Sequence, residues 1–110
     1  MNARVPSQVL QPELALQRVS QAWDSDIVRQ LTDYIAIPAK SPTFAADWAE
    51  LGLLDTVVRN AAAWVESQKV EGLTLEIVRL EGRTPVLFFE IAATQSHATD
   101  TVLMYGHLDK

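Results

Sequence analysis

The chain has 110 residues, of which 48% are hydrophobic and 21% charged, a composition typical of one globular domain or part of one. It contains no cysteine, which excludes disulfide bonds, a thiolate zinc site and a cysteine nucleophile. Fourteen acidic and nine basic residues give a formal net charge of −5. The basic residues are scattered singly, so binding to the phosphates of a nucleic acid is not expected.

The sequence shows no sign of a targeting or membrane segment. Residues 1–17 contain no uninterrupted apolar run of the signal-peptide type, and later apolar runs stay well below the ~18 residues of a membrane span. We therefore expect a cytoplasmic protein that does not bind a membrane.

The first part of the chain predicts an arm followed by a helix. Residues 1–23 hold two prolines with weak apolar periodicity, which indicates an irregular N-terminal arm that can continue into a helix. From Asp24 onward, apolar residues recur at three- and four-residue steps, which predicts an amphipathic helix. Asp24 or Ser25 is the expected N-terminal cap, and Pro38 marks the expected end.

A second helix is predicted after the loop IPAKSPTF, whose two prolines stiffen the connection without implying a domain boundary. Apolar residues recur with helical spacing from Trp48 to Val65, and Gly72 is the expected stop.

Three strands are predicted after this helix. Leu73, Leu75 and Ile77 alternate with polar residues, and the sequences EGRT and PVLFFEIA then complete a hairpin. PVLFFEIA and TVLMY at 101–105 are apolar on both sides, which is typical of strands inside a sheet that helices cover. The segment between these two strands is too short for a helical crossover, so they are expected to be antiparallel neighbours if they pair directly.

The predicted order is thus helix, helix, strand, strand, strand. A domain that ends at its most buried strand lacks a covering element, so we expect residues 24–110 to be the N-terminal part of a larger α/β domain. An exposed end held by a partner is the alternative.

His107 and Asp109 are the residues whose types and spacing point to chemistry. They follow Gly106 at the carboxyl end of the third predicted strand, and in extended backbone both side chains point to the same side. Imidazole is a common zinc ligand, and its other ring N–H is usually given to a carboxylate that fixes the tautomer. The alternative is that both are ordinary polar residues at a strand end, because a catalytic zinc needs about three protein ligands.

Other candidates have simpler explanations. His97 lies in the polar segment TQSHATD, where a solvated loop histidine is expected. Trp23, Trp48 and Trp64 lie on or beside helical stripes, which indicates core or interface packing. The sequence has no G-x-S-x-G elbow and no phosphate-binding glycine loop, so serine hydrolase and nucleotide-binding functions have no support.

VLMYGHLDK, together with the apolar strand pair before it and LTDYIAIPAKSP with a following Trp48, resembles a known family. This family is the carnosinase and aminoacylase type of zinc metallopeptidases, peptidase family M-twenty. The likeness covers residues 24–110 and is strongest to bacterial dipeptidases and the cysteinylglycine dipeptidase and carnosinase group. GHLD in its strand is the specific part, and IPAKSP is supporting.

The resemblance implies a function and a role for two residues. His107 matches the family's first zinc-ligating histidine, and Asp109 matches the catalytic-site aspartate that orients it. The implied fold is a mixed-sheet catalytic domain that holds two zinc ions and hydrolyses dipeptides or acyl-amino acids through a metal-activated water. A smaller inserted domain helps the full-length family members form homodimers.

The remaining zinc ligands, the glutamate pair and the inserted domain of that family are not in this sequence. We therefore expect the 110-residue chain alone to be inactive and to bind zinc weakly or not at all. Two further hypotheses stay open, namely a non-catalytic α/β interaction domain and a family remnant that has lost its chemistry.

Overall fold

The computed structural model describes residues 10–110, which form helices and a two-stranded antiparallel sheet. The chain divides into two compact units, Met1–Ala36 and Ile37–Lys110. The predicted α/β class is confirmed at this level. Residues 1–9 of the predicted N-terminal arm lie outside the described residues. None of the helices in the described range has the length and apolarity needed to span a bilayer.

The first unit is helical, with α1 at Pro12–Ala22, a π-helical turn at Trp23–Ile27 and α2 at Val28–Ala36. Pro12 lies in the first turn of α1, where backbone N–H groups have no acceptor within the helix, so the missing N–H of proline costs no hydrogen bond. The expected end before Pro38 is confirmed, because α2 ends at Ala36.

The predicted helix start at Asp24 is wrong, because the helix already runs through that position. The amides that Asp24 or Ser25 would have capped lie inside the helical stretch and are not free. The Ser25 hydroxyl instead donates to the Gln21 carbonyl oxygen at 2.8 Å. The sequence signal was misleading because Asp and Ser also fit a helix interior when they face solvent.

The second unit contains α3 at Trp48–Leu51, α4 at Leu53–Ser67, β1 at Leu73–Val78 and β2 at Val86–Ile91. The predicted second helix is therefore present but interrupted at Gly52, whose φ of 68° is left-handed. Such a φ is strained for residues with a Cβ atom, so glycine separates α3 from α4. Gly72, with φ of 78°, leads from the helix into β1.

The core of this unit is the apolar stripe of α4. Helical spacing places four side chains on one face, and each is 2–6% exposed: Leu54, Val57, Val58 and Ala62. The stripe packs against both strands of the hairpin. From Leu73 to Ile77 the residues of β1 alternate between half-buried and exposed, because the helix covers only one face of the sheet.

The predicted hairpin is confirmed, with antiparallel pairing that runs from Leu73 opposite Ile91 to Val78 opposite Val86. The predicted interior position of its second strand is wrong. Four large apolar residues of β2 are 45–56% exposed: Val86, Phe88, Phe89 and Ile91. The described residues supply helix α4 for one face of the sheet and pair β2 only with β1.

The predicted third strand is also not formed within the described chain. The four apolar residues from Val102 to Tyr105 are 86–88% exposed and make no ladder with β2. The chain is fixed further on instead, at Lys110, whose amide donates to the Ala39 oxygen at 2.9 Å and whose carbonyl oxygen accepts from the Ser41 amide at 2.9 Å. Apolarity on both sides predicted burial, but the segment makes no backbone ladder with the second edge of β2, which stays unpaired within the described residues.

We expect Leu54→Ala to lower the free energy of unfolding by about 2–5 kcal/mol, because it opens a cavity where α4 meets the hairpin. Leu80→Ala is the matched control: Leu80 is 66% exposed and its truncation should cost less than about 0.5 kcal/mol. Urea unfolding of both variants measures the difference. Equal losses would contradict the placement of the core on the α4 stripe.

An ion pair joins α4 to the residue after β1. The Arg79 guanidinium donates to Asp55 Oδ1, and Arg59 Nε lies 2.8 Å from Asp55 Oδ2. The hydrogen bond from Arg79 lowers the pKa of Asp55, with smaller contributions from the charges of both arginines, while partial burial opposes the shift.

Because folding lowers the pKa of Asp55, its ionised carboxylate stabilises the fold at pH values above the pKa that Asp55 has in the unfolded chain. This contribution is lost as the pH falls below about 4 and through the lowered folded-state pKa. We expect Arg79→Met to raise the pKa of Asp55 toward its ordinary value and to flatten the acid dependence of stability.

Carboxyl carbon NMR titration of Asp55 measures the first effect, and urea unfolding near neutral pH and at about pH 3 measures the second. Arg29→Met is the control, because Arg29 pairs with Asp26 in the other unit. An unchanged Asp55 titration in Arg79→Met would show that the ion pair is not formed.

Candidate functional site

The candidate site lies in the extended segment before Lys110. His107 Nδ1 is 3.1 Å from Asp109 Oδ1, and His107 Nε2 is 3.0 Å from the Tyr105 hydroxyl. The three residues alternate along the chain, so extended backbone places their side chains on one side. The predicted juxtaposition of His107 and Asp109 is therefore present, although they do not follow a strand.

Sequence reasoning missed Tyr105. The spacing in the sequence could have identified it, because Tyr105 stands two residues before His107 and lies on the same side of an extended segment. It was hidden because Tyr105 was counted among the apolar residues of a predicted strand. The ring of Tyr105 meets that of His107 edge to face, with centroids 5.2 Å apart.

The hydrogen bonds indicate which nitrogen of His107 carries the proton. A carboxylate accepts and cannot donate, so the contact with Asp109 places the proton on Nδ1. Nε2 of the neutral ring is then an acceptor for the Tyr105 hydroxyl. The side chains of His107 and Asp109 are 68% and 30% exposed, so solvent screens their interaction.

The site faces a cleft of about 330 Å³ within the second unit. Three parts of the chain line it: the first half of α4, the start of β2 and residues 104–109. Leu54, Val57 and Val58 provide an apolar floor, so the cleft combines an apolar wall with the polar row of His107 and Asp109. This volume is at the lower end of the range of about 300–1,000 Å³ found for small-ligand sites.

The C-terminal segment is fixed by the proline loop. Lys110 forms the two backbone hydrogen bonds with Ala39 and Ser41, and its ammonium group donates to the Ile37 carbonyl oxygen. Ala39 is fully buried at this junction. The structure therefore brings IPAKSP and GHLDK together, although they are far apart in sequence.

The fit of this site to a metal ion is partial. His107 with Nδ1 held by Asp109 has the form of one oriented imidazole ligand. Within residues 10–110, however, no group of three or more His, Cys, Asp or Glu side chains is placed to hold a metal ion. His97, as expected, is exposed in a loop and is not brought to the cleft.

No protein-family model matches the chain, and a search of curated proteins finds no match.

We expect imidazole nitrogen NMR shifts to show His107 as the Nδ1–H tautomer when the ring is neutral. Asp109→Ala removes the acceptor, so the proton should redistribute toward Nε2. Asp109→Asn is a weaker test because an amide oxygen still accepts. His97 gives the internal reference, since its ring makes no hydrogen bond within the described part of the chain. A His107 ring with the tautomer of His97 would contradict the contact.

Proposed function

We propose that this chain forms the N-terminal part of the catalytic domain of a dinuclear zinc hydrolase that cleaves dipeptides or related amides. The observation that supports this most is the contact between His107 Nδ1 and Asp109, which leaves Nε2 as the ligating nitrogen. The resemblance of VLMYGHLDK to the M-twenty metallopeptidases supplies the reaction and the substrate class. The same resemblance implies a homodimer for the full-length protein.

In this proposal each residue has a limited role. His107 offers the Nε2 lone pair, and Asp109 holds the ring in the tautomer that keeps this lone pair free of a proton. Zinc, when bound, polarises the scissile carbonyl and lowers the pKa of a bound water. The family's other zinc ligands are not among these 110 residues, so the chain alone is proposed to be inactive.

The junction between the proline loop and Lys110 supports the same proposal. It fixes the backbone one residue after Asp109, which restricts the orientation of the His107 and Asp109 side chains. Binding sites need such support, because a misplacement of about 1 Å can cost two orders of magnitude in rate.

The Tyr105 hydroxyl competes with a metal for Nε2, because both need the same lone pair. We expect Tyr105→Phe to bind zinc about two- to tenfold more tightly, which corresponds to the net value of one hydrogen bond. Competition against a chromophoric zinc chelator measures this in the chain itself, without any assay of hydrolysis. His107→Ala with Tyr105→Phe is the control and should lose the gain. An unchanged affinity in Tyr105→Phe would show that Nε2 is not the ligand.

The proposed activity is tested in the natural gene product loaded with zinc. His107→Ala should abolish dipeptide hydrolysis, and Asp109→Asn should reduce it about 10- to 100-fold, as for other partners of metal-ligating histidines. His97→Ala is the matched control and should keep its activity. Turnover close to the wild type in His107→Ala would reject the assignment.

A non-catalytic interaction domain is the second candidate, and the exposed apolar residues of β2 and of the segment Val102–Tyr105 favour it. The two candidates differ in the behaviour of the chain alone. A self-contained interaction domain should unfold in one cooperative step that all probes report alike, whereas part of a catalytic domain should unfold at lower denaturant concentration, with transitions that differ between probes. Chemical unfolding followed by two independent probes separates them.

A further inference from the structure

A second cleft in the unit Ile37–Lys110 has a volume of about 340 Å³ and a different chemistry. Its polar side chains are Arg79, Arg83 and Asp55, and its apolar walls include Trp48 and Pro85. Two arginines in one cleft are notable in a chain with only nine basic residues and a net charge of −5. We call it the arginine pocket.

The two arginines have different surroundings. Arg79 is paired with Asp55, whose other oxygen faces Arg59. Asp55 is therefore neutralised by its neighbours, and the hydrogen bond from Arg79 is the main cause of the lowered pKa of its carboxyl group. Arg83, by contrast, forms no ion pair or side-chain hydrogen bond with any residue in the range 10–110.

The backbone holds Arg83 at the pocket. Gly82, with a φ of 71°, makes the turn between β1 and β2, and the Arg83 amide donates to the Leu80 carbonyl oxygen at 3.1 Å. The guanidinium therefore extends from a tight turn rather than from a long loop. A planar guanidinium matches the two oxygens of a carboxylate and binds them in a bidentate manner.

We propose that the arginine pocket binds a small organic carboxylate, with the carboxyl group on Arg83 and the apolar body between Trp48 and Pro85. The charged side chains that line the pocket, Arg79, Arg83 and Asp55, sum to one positive charge, which suits a monoanion. The volume accommodates a small molecule, and the indole of Trp48 offers a flat surface for an apolar or aromatic group. Pro85 also lines the cleft at His107, but the arginine pocket does not depend on the zinc proposal.

The test is an amide NMR titration of the chain with phenylacetate, with phenylacetamide as the neutral isostere. We expect phenylacetate to shift the signals of Trp48, Arg79 and Arg83, and phenylacetamide to bind at least tenfold more weakly because it cannot form charge-assisted hydrogen bonds. Equal affinity for the acid and the amide would overturn the proposal, as would shifts that avoid Trp48.

Variants locate the site. Arg83→Ala should weaken phenylacetate binding about tenfold or more, and Arg83→Lys should fall between that variant and the wild type, because lysine keeps the charge without the planar fork. Arg83 is exposed in a turn, so these changes should leave the fold intact, as the amide spectrum would show. Arg29→Ala, in the other unit, is the control and should bind normally. Wild-type affinity in Arg83→Ala would overturn the assignment.

A further titration distinguishes a free acid from the C-terminus of a peptide. A tetrapeptide that ends in phenylalanine with a free carboxylate is compared with the same peptide amidated. Binding of phenylacetate alone assigns the pocket to small free acids, and binding of the free peptide as well extends it to peptide C-termini. Failure of both carboxylates to bind would reject the proposal.

Discussion

The packing of the α4 stripe against the hairpin is the interaction on which the second unit depends. Leu54, Val57 and Val58 are buried under the sheet and also form the floor of the cleft that contains His107. The same contact places Asp55, on the neighbouring face of α4, against Arg79 at the end of β1. One helix face therefore positions both clefts, and loss of its packing would disturb the two sites together.

Local patterns predicted the elements that are stabilised by local contacts. The alternation at Leu73–Ile77 predicted β1, and the glycine-containing turn predicted the hairpin, because neighbouring strands and a short turn need no distant partner. The strand expected at 101–105 failed for the opposite reason. Its apolar residues predicted burial, but burial depends on tertiary contacts, and in the described chain the backbone hydrogen bonds to Ala39 and Ser41 are made by Lys110, beyond this segment.

The candidate site could likewise be predicted only where it depends on local spacing. His107 and Asp109 could be placed together because their spacing of two fixes a common side in extended backbone. Tyr105 obeys the same rule but was assigned to the apolar group, since a phenol is both apolar and a hydrogen-bonding group. The arginine pocket could not be foreseen, because Trp48, Asp55 and Arg83 belong to three separate segments that only tertiary packing brings together.

The π-helical turn at Trp23–Ile27 has a consequence for how α1 and α2 can vary in sequence. A π-turn accommodates one residue more than the α-helical ladder around it, and successive residues of an α-helix are rotated by about 100°. The wider π-turn absorbs the rotation that the extra residue would otherwise add, so deleting one residue between Trp23 and Ile27 would restore an ordinary helix and leave the faces of α1 and α2 in nearly the same relative orientation. Homologous chains are expected to vary there by single-residue gaps rather than by substitutions alone.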